Sequence, residues 1–253
     1  KLFNITRGIK MISLQNLIRN SNKQISSLQN IFYKEADDIF NNKILKIGNI
    51  EIELTEVEFY FYEQQHLDPY VHKNNLQRTT SNYLYVHQQA WNRGGIDITF
   101  GDGIYYGGIL IRGIKHNNCY ISGSATVKKY ISNLINPLFS NHGDLQRYFF
   151  NIQQSAFLKN SNLPKNNVLC STRVGLNQNN PSYANALYRF IREDCLNVDK
   201  SHFSGNNYDN LKERTKIKAI SNLALNYPTN EKSAIEDIKK NLALIENIKL
   251  FKQ

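Results

Sequence analysis

The chain is poor in cysteine and proline, and both shortages exclude whole classes of protein. Its 253 residues include three cysteines, too few and too widely spaced for a disulfide framework or a zinc knuckle, at positions 119, 170 and 195. Five prolines, no proline-rich stretch and no internal repeat give no sign of a linker. We therefore expect reduced thiols, and no metal or other cofactor.

Long hydrophobic runs are also missing. No apolar run approaches the roughly 18 residues of a membrane-spanning helix, so we expect no membrane partner. The opening stretch, KLFNITRGIKMISL, is positively charged but lacks the apolar block of a secretory signal. Both absences predict a cytoplasmic protein, associated with the nucleoid if its source is bacterial.

Acidic residues are scarce relative to basic ones. The chain contains 21 Asp and Glu against 31 Lys and Arg, which gives a formal net charge of +10. A basic chain of this kind favours a polyanionic partner, with nucleic acid ahead of an anionic membrane surface. A scattered excess of surface charge is the alternative reading.

Apolar periodicity predicts an α+β fold, a single domain built on a curved, mostly antiparallel β-sheet with helices at both ends. Strand-like alternation and glycine-rich turns fill the middle of the chain. Helical spacing predicts helices over residues 11–20, 24–33 and 35–41, from near Ser124, and in a tail from about 210. The predicted units are a domain over 1–207, with helices in 1–42 and a motif-bearing core over 43–193, and a helical extension over 208–253 packed on the core.

The stretch LTEVEFYFYEQQH, residues 54–66, reads as a strand with two unlike faces. Strand side chains alternate, so the odd positions Val57, Phe59 and Phe61 can fill a core. The even positions carry acids and tyrosines, namely Glu56, Glu58, Tyr60 and Tyr62.

A hairpin precedes this stretch, with Gly48-Asn49 as its turn. Between the turn and residue 54 the apolar residues fall on even positions, and from Val57 they fall on odd ones. That change of phase predicts a bulge near Thr55-Glu56, a device that re-aims side chains near active sites.

The two glutamates are the strongest candidates for chemistry. If their face lines a cleft, their like charges and aromatic neighbours would raise the pKa of one of them and make it a usable acid or base. A solvated strand face is the alternative. Two carboxylates so close on one strand cannot straddle a sugar ring, which disfavours ordinary two-carboxylate glycoside hydrolysis.

Histidines at positions 66, 72 and 87 follow no metal-binding spacing. Tyrosines surround them in the sequence, and flat aromatic surfaces in a basic protein suit a nucleobase. Ordinary core packing of these rings is the alternative.

Several short motifs resemble, in order, those of the alkyladenine (3-methyladenine) DNA glycosylases. The family strand E-T-E-A-Y is similar to EVEFY (56–60), L-Y-V-Y to LYVH (84–87), and M-N-I to Ile96-Asp97-Ile98. Arg112 falls at the arginine of L-L-R-A-L, GSATV weakly matches G-P-S-K-L, Arg173-Val174-Gly175 matches R-V-G, and LYRF (187–190) is similar to L-R-F-Y. The resemblance covers roughly residues 35 to 193.

The resemblance implies roles for named residues. In the family, the second glutamate of the strand activates the attacking water and the tyrosine after it stacks on the flipped base. These roles fall on Glu58 and Tyr60, with Arg112 supporting the water. The histidine on the other side of the base is matched by His72, with His66 as its rival. The remaining pocket positions are Glu56, His87 in place of a tyrosine, and Asp97 in place of an asparagine.

DNA contacts are predicted from the same alignment and from charge. Ungapped spacing puts Ala90 at the family's wedge tyrosine, and we expect the adjacent Trp91, the one tryptophan, to fill the gap left by the flipped base. Core packing is the alternative for Trp91. The expected DNA-binding cations are Arg93, Lys115, Lys128, Lys129, Arg147 and Arg173.

Together these features predict a monofunctional DNA glycosylase that acts on double-stranded DNA with a modified or damaged base and leaves an abasic site. No lysine stands at a family nucleophile position, so no Schiff-base step is expected. His87 and Asp97 favour a bulkier, more polar base than a methylated purine, such as a hydroxymethylated or glycosylated pyrimidine, in repair or against modified viral DNA. The alternatives are a catalytically inactive nucleic-acid-binding module and a nucleoside hydrolase.

Overall fold

The computed structural model describes residues 12–152 and 156–196. The predicted extension over 208–253 lies outside the described residues, as does the start of the chain. None of the helices in the described part has the length and apolarity that crossing a membrane requires.

Two helices open the described chain, α1 (Ile12–Arg19) and α2 (Ile25–Asn42). The sequence predicted separate helices over 24–33 and 35–41, whereas α2 runs through both, because no glycine or proline interrupts it. Phe32 on its inner face stacks on Phe59 with ring centroids 4.6 Å apart. The helix therefore covers one face of the sheet.

Ten strands of the described residues form one antiparallel sheet that curls into half a barrel. Its main path runs β4-β5-β6-β2-β1-β8; β10 and β3 also pair with β2, β7 with β6 and β9 with β10. The strands are β1 (Lys43–Ile47), β2 (Ile50–Glu63), β3 (His66–Leu67), β4 (Ser81–Val86), β5 (Ile96–Phe100), β6 (Tyr106–His116), β7 (Cys119–Ser122), β8 (Leu158–Asn160), β9 (Val168–Ser171) and β10 (Arg189–Arg192). The α+β class and the mostly antiparallel sheet are confirmed.

Four shorter helices and a final 3-10 turn connect these strands. They are α3 (Asn75–Thr79), α4 (Ser124–Ile135), α5 (His142–Asn151), α6 (Pro181–Ala184) and the 3-10 turn Glu193–Leu196. The helix predicted from near Ser124 is α4, and the predicted Gly48-Asn49 turn joins β1 to β2, with Ile47 opposite Ile50.

The predicted bulge is present between β2 and β6. Leu54 lies opposite Ile114 and Glu56 opposite Gly113, so Thr55 has no opposite residue. A second shift follows, because Val57 lies opposite Ile111 and the ladder passes over Arg112. The double irregularity brings the Arg112 guanidinium to the same face of the sheet as Glu56 and Glu58.

The two faces of β2 differ as its sequence predicted. Val57, Phe59 and Phe61 are fully buried in the main hydrophobic core, on the side covered by α2. We call this side the core face, and the side that carries Glu56, Glu58 and Tyr60 the site face. The site face is also shielded from solvent, since Glu56 and Glu58 are 1% and 0% exposed.

Candidate active site

One row of side chains crosses the site face at right angles to the strands. Residues directly opposite each other in an antiparallel ladder share a face of the sheet. Glu58 on β2 lies opposite Leu110 on β6 and, on its other side, opposite Arg189 on β10. Leu110 lies opposite Asp97 on β5, and Asp97 opposite Tyr85 on β4. The register thus aligns residues from five strands of very different sequence position.

Glu58 is held by two hydrogen bonds and one ion pair. The backbone N–H of Val174 donates to its Oε1 at 2.6 Å, and the Tyr60 hydroxyl donates to its Oε2 at 2.9 Å. The Arg112 Nε lies 3.3 Å from Oε1. A fully buried carboxylate needs such partners, because an isolated charge in the interior is very costly. The arrangement fixes both oxygens of Glu58 beside the Tyr60 ring.

Glu56 plays a different part from the predicted pocket contact. Its Oε1 accepts from the Nε atoms of Arg112, at 2.9 Å, and Arg189, at 2.7 Å. Burial alone would raise the pKa of Glu56, but the two guanidinium groups outweigh it and hold the pKa below its usual range. The sequence led us to expect a raised pKa at one of the glutamates, and at Glu56 the opposite holds. Glu56 therefore anchors Arg112, which in turn lies against Glu58.

Tyr60 joins Val71 and Leu110 in a small apolar cluster apart from the main core. Three partly buried rings pack around it, those of Tyr62, Tyr70 and Tyr106. Burial, and then the neighbouring Glu58 carboxylate, raise the pKa of Tyr60 well above its usual value. The Tyr60 hydroxyl thus keeps its proton and remains a donor to Glu58.

Arg173 lies inside the protein instead of at the predicted DNA contact. It is 0% exposed, and its Nη1 donates to Asp68 Oδ2 at 2.6 Å while its Nη2 donates to the Tyr183 carbonyl at 2.9 Å. Its guanidinium carbon stands 4.6 Å from the centroid of the Tyr60 ring. Arg173 therefore binds a buried carboxylate and not a phosphate. Its bonds also hold the backbone beside Val174, whose N–H donates to Glu58.

His87 and Asp97 form a hydrogen-bonded pair in the same face. The His87 Nε2 lies 2.7 Å from Asp97 Oδ1, and the Gln77 Nε2 donates to Asp97 Oδ2 at 2.8 Å. Gly108 allows this arrangement, since a Cβ there would stand 2.6 Å from Asp97 Oδ2. His87 and Asp97 are 4% and 1% exposed.

The two rival histidines lie in different places. The His72 ring packs against that of His87 with centroids 4.3 Å apart, and His72 is otherwise exposed. Burial, and then His87, lower the pKa of His72. His66 is buried beside Phe61 of the core face, and its Nδ1 lies 3.1 Å from the Lys23 carbonyl. The structure therefore brings His72 to the site and leaves His66 in the interior.

The predicted wedge Trp91 and the predicted cation Arg93 lie in the loop between β4 and β5, and the predicted cation Lys128 of α4 contacts both. Trp91 is half-buried and packs against the main core, with the Lys128 ammonium 5.0 Å from its ring centroid. The Lys128 ammonium also donates to the Arg93 carbonyl. Lys128 is 0% exposed and, in place of a phosphate, it holds this loop to α4. The Arg93 side chain is exposed.

The other predicted cations are spread over the surface. Lys115 is partly buried, 3.6 Å from Glu53 Oε1. Arg147 is exposed and pairs with Asp144 at 2.5 Å. Lys129 is exposed on α4, next to the buried Lys128. Arg93 and Lys129 are thus the predicted phosphate-binding side chains that the structure leaves accessible near the site.

Sequence reasoning missed three side chains that the site depends on. Arg189 binds Glu56, Gln77 binds Asp97, and Asp68 binds Arg173. For Arg189 a signal was present, because it lies inside LYRF, a motif that the resemblance already singled out. Nothing local distinguishes the other two.

Comparisons with known proteins add one relative. No family model matches the chain. The uncharacterized protein L759 of Acanthamoeba polyphaga mimivirus is 25% identical over 192 residues, a match that covers 64% of this chain and 86% of the viral protein. That name assigns no activity. Within the described residues, no three His, Cys, Asp or Glu side chains group as they would around a metal ion.

Proposed function

We propose that this protein is a monofunctional, metal-independent DNA glycosylase that flips a modified base out of the duplex and releases it by attack of water. The observation that carries the proposal is the buried carboxylate of Glu58, held by two hydrogen bonds and an ion pair beside the Tyr60 ring. A base inside a duplex is unreachable, so it is first extruded at a cost of a few kcal/mol. The products are an abasic site and the free base.

Glu58 suits the chemical step. Breaking the N-glycosidic bond places positive charge on the sugar, and an ionised carboxylate stabilises that charge while it accepts a proton from the attacking water. Two carboxylate oxygens offer about four acceptor sites. Val174 and Tyr60 donate two hydrogen bonds to Glu58, and Arg112, which donates its Nε hydrogen to Glu56, adds an ion pair. Acceptor capacity on Glu58 is therefore left for a water molecule.

The base would lie along the site face beyond Glu58. Tyr60 and Leu110 supply an apolar wall, and the His72 and His87 rings supply polar edges. This mixture of apolar wall and imidazole favours a bulky, polar modified base, such as a hydroxymethylated or glycosylated pyrimidine. Removal of such a base would serve repair or act against modified viral DNA.

The test is the mass spectrum of bases released from several genomic DNAs, including heavily modified phage DNA. The parent chain should release one modified base, and Glu58→Gln should reduce its release by about 10²–10⁴-fold, the usual contribution of a general base. Glu51→Gln is the matched control, because Glu51 lies on the same strand but is exposed and pairs with Lys46. Glu51→Gln should keep the parent rate.

The result that contradicts the proposal is equal base release by the parent and Glu58→Gln chains. Duplex binding is measured alongside, and it should survive in Glu58→Gln because the DNA contacts lie elsewhere. A thermal unfolding curve for each variant separates loss of chemistry from loss of fold.

A second candidate is a nucleic-acid-binding module without catalysis. Its support is that Val174, Tyr60 and Arg112 alone would satisfy Glu58 as an internal structural group. It predicts tight duplex binding and no base release from any DNA. A nucleoside hydrolase, in contrast, would release base from free nucleosides with little sensitivity to added salt.

A further inference from the structure

We propose that His87 and Asp97 form a proton-donating pair that delivers a proton to the departing base. This inference rests on the proposed glycosylase activity. His87 is the group that would touch the base, and Asp97 is a positioning residue that acts through His87.

Gln77 shows that the Oδ2 atom of Asp97 is a hydrogen-bond acceptor. Gln77 belongs to the capping box of α3, in which its Oε1 accepts from the Asn74 backbone N–H at 3.1 Å. That contact fixes the orientation of the amide, so its Nε2 is the atom that donates to Asp97 Oδ2. An asparagine at position 97 could not accept at both of its terminal atoms. The aspartate is therefore matched to Gln77 on one side and to His87 on the other.

The bond to Asp97 also assigns the two nitrogens of His87. Because Nε2 faces a carboxylate oxygen at 2.7 Å, Nε2 carries a hydrogen. The hydrogen bond of one ring nitrogen sets the role of the other, so Nδ1 is the atom that exchanges a proton. In the proposed reaction, Nδ1 is the atom that donates the proton to the departing base.

Asp97 lies two strands away from Glu58 along the row that crosses the site face. Asp97, Leu110 and Glu58 are consecutive neighbours across β5, β6 and β2. Strands lie about 4.8 Å apart, so the backbones at Asp97 and Glu58 are about 10 Å apart. The side chain of Leu110 supplies an apolar surface between Asp97 and Glu58. A nucleotide lying over Leu110 would present its sugar to Glu58 and its base to His87.

Two separate groups are useful because the reaction moves two protons. As the bond between C1′ and the base nitrogen breaks, its electron pair goes to the base, which takes a proton from His87. Water adds to C1′ and gives a proton to Glu58. A neutral base leaves poorly as an anion and needs the proton, whereas a cationic base leaves as a neutral molecule without one.

The groups that face His87 do not replace it in this role. Burial, and then Asp97, raise the pKa of Tyr85 to about 12, so Tyr85 is a weak acid. The pKa of His72 is lowered by burial and by His87, which favours its neutral form. Asp97 is already engaged as an acceptor.

The test compares neutral and cationic leaving bases in duplex oligonucleotides. The neutral probes contain uracil, 5-fluorouracil or 5-hydroxymethyluracil, and the cationic probe contains 7-methylguanine. His87→Gln should slow release of the neutral bases by about 10²–10³-fold, within the range of general acid catalysis, and change release of 7-methylguanine by less than about threefold. His142→Gln, on the partly exposed histidine that opens α5, is the control and should match the parent.

Two further readouts separate chemistry from structure. The rate on a neutral base should fall as the pH rises, because general acid catalysis requires a protonated acid, and this decline should vanish in His87→Gln. Imidazole in the buffer should partly restore the rate of His87→Ala, because it supplies the missing acid. Asp97→Asn should lie between the parent and His87→Gln.

An equal loss on both kinds of base in His87→Gln, or an unchanged pH profile, overturns this inference and leaves the glycosylase proposal standing. Release of no base by the parent chain from any probe or from genomic DNA overturns the glycosylase proposal, and this inference with it.

Discussion

Gly113 lies directly opposite Glu56 in the ladder between β2 and β6, and a Cβ atom at position 113 would stand only 2.7 Å from the Glu56 Cβ and 2.6 Å from Thr55 Oγ1. Real Cβ atoms do not approach other atoms so closely, so any side chain at this position must displace the bulge. Gly113 thereby permits the strand irregularity that brings Arg112 to the glutamates.

Gly113→Ala should therefore destabilise the fold by about 1–3 kcal/mol, the usual cost of overpacking a tight site. It should also weaken base release, because Glu56 and Arg112 would shift relative to Glu58. Urea unfolding gives the first quantity and base release the second. Equal stability of Gly113→Ala and the parent would contradict the steric argument.

The Asp68–Arg173 pair gives a second prediction. Both side chains are fully buried, so removing one partner leaves an uncompensated charge. Arg173→Met and Asp68→Asn should each destabilise the protein, the former by about 3–5 kcal/mol. The double variant should lose clearly less than the sum of the two, which a double-mutant cycle from urea unfolding measures. Additive losses would mean that the two groups do not stabilise each other.

The pH dependence of stability should reveal His66. Burial is the main cause that lowers the pKa of His66 in the folded state. Above about 6.5, the ordinary value for histidine, both states are neutral and position 66 contributes no pH dependence. As the pH falls below this value the unfolded chain binds a proton that the folded chain resists, so stability declines until the folded pKa is passed.

His66→Gln should remove this part of the decline between pH 7.5 and 5.5, measured by urea unfolding at several pH values. Its glutamine can still donate to the Lys23 carbonyl that His66 faces. His142→Gln, on a partly exposed histidine, is the control and should keep the parent slope. If His66→Gln keeps the parent's slope of stability against pH, another group is responsible for the decline.

The alternating pattern of β2 and its bulge could be predicted, because both depend only on residues close together in the sequence. Alternation in residues 54–62 separates Val57 and Phe59 from Glu56 and Glu58 without knowledge of any other strand, and the change of phase at Thr55 places the bulge. The predicted break between two helices near Tyr33 was wrong, because a local pattern was used where packing decides the structure. Periodicity alone divided a stretch that has no helix breaker, and packing on the sheet keeps it continuous.

The partners of the charged residues could not be predicted in the same way. Arg173 and Asp68 are 105 residues apart in sequence, and Arg189 and Glu56 are 133 apart. An arginine in a basic chain is most simply taken as a surface group. Only the register of β10 against β2 shows that Arg189 lies beside two buried glutamates.

The last prediction concerns DNA. Arg93 and Lys129 are exposed, and Lys128 joins their two segments through its bond to the Arg93 carbonyl. The loop that carries Arg93 ends at Gly95, whose carbonyl accepts from the His87 N–H at 3.0 Å. A strand whose base reached His87 would thus pass close to both cations.

Each phosphate contact contributes about 0.9 to the slope of log K against log salt. Arg93→Ala and Lys129→Ala should each lower that slope by about 1, which fluorescence anisotropy with a duplex oligonucleotide measures at several salt concentrations. Lys34→Ala is the matched control, because Lys34 is exposed on α2, which covers the opposite face of the sheet. If all three variants change the slope equally, the attraction comes from overall charge alone, and the duplex does not dock beside the site face.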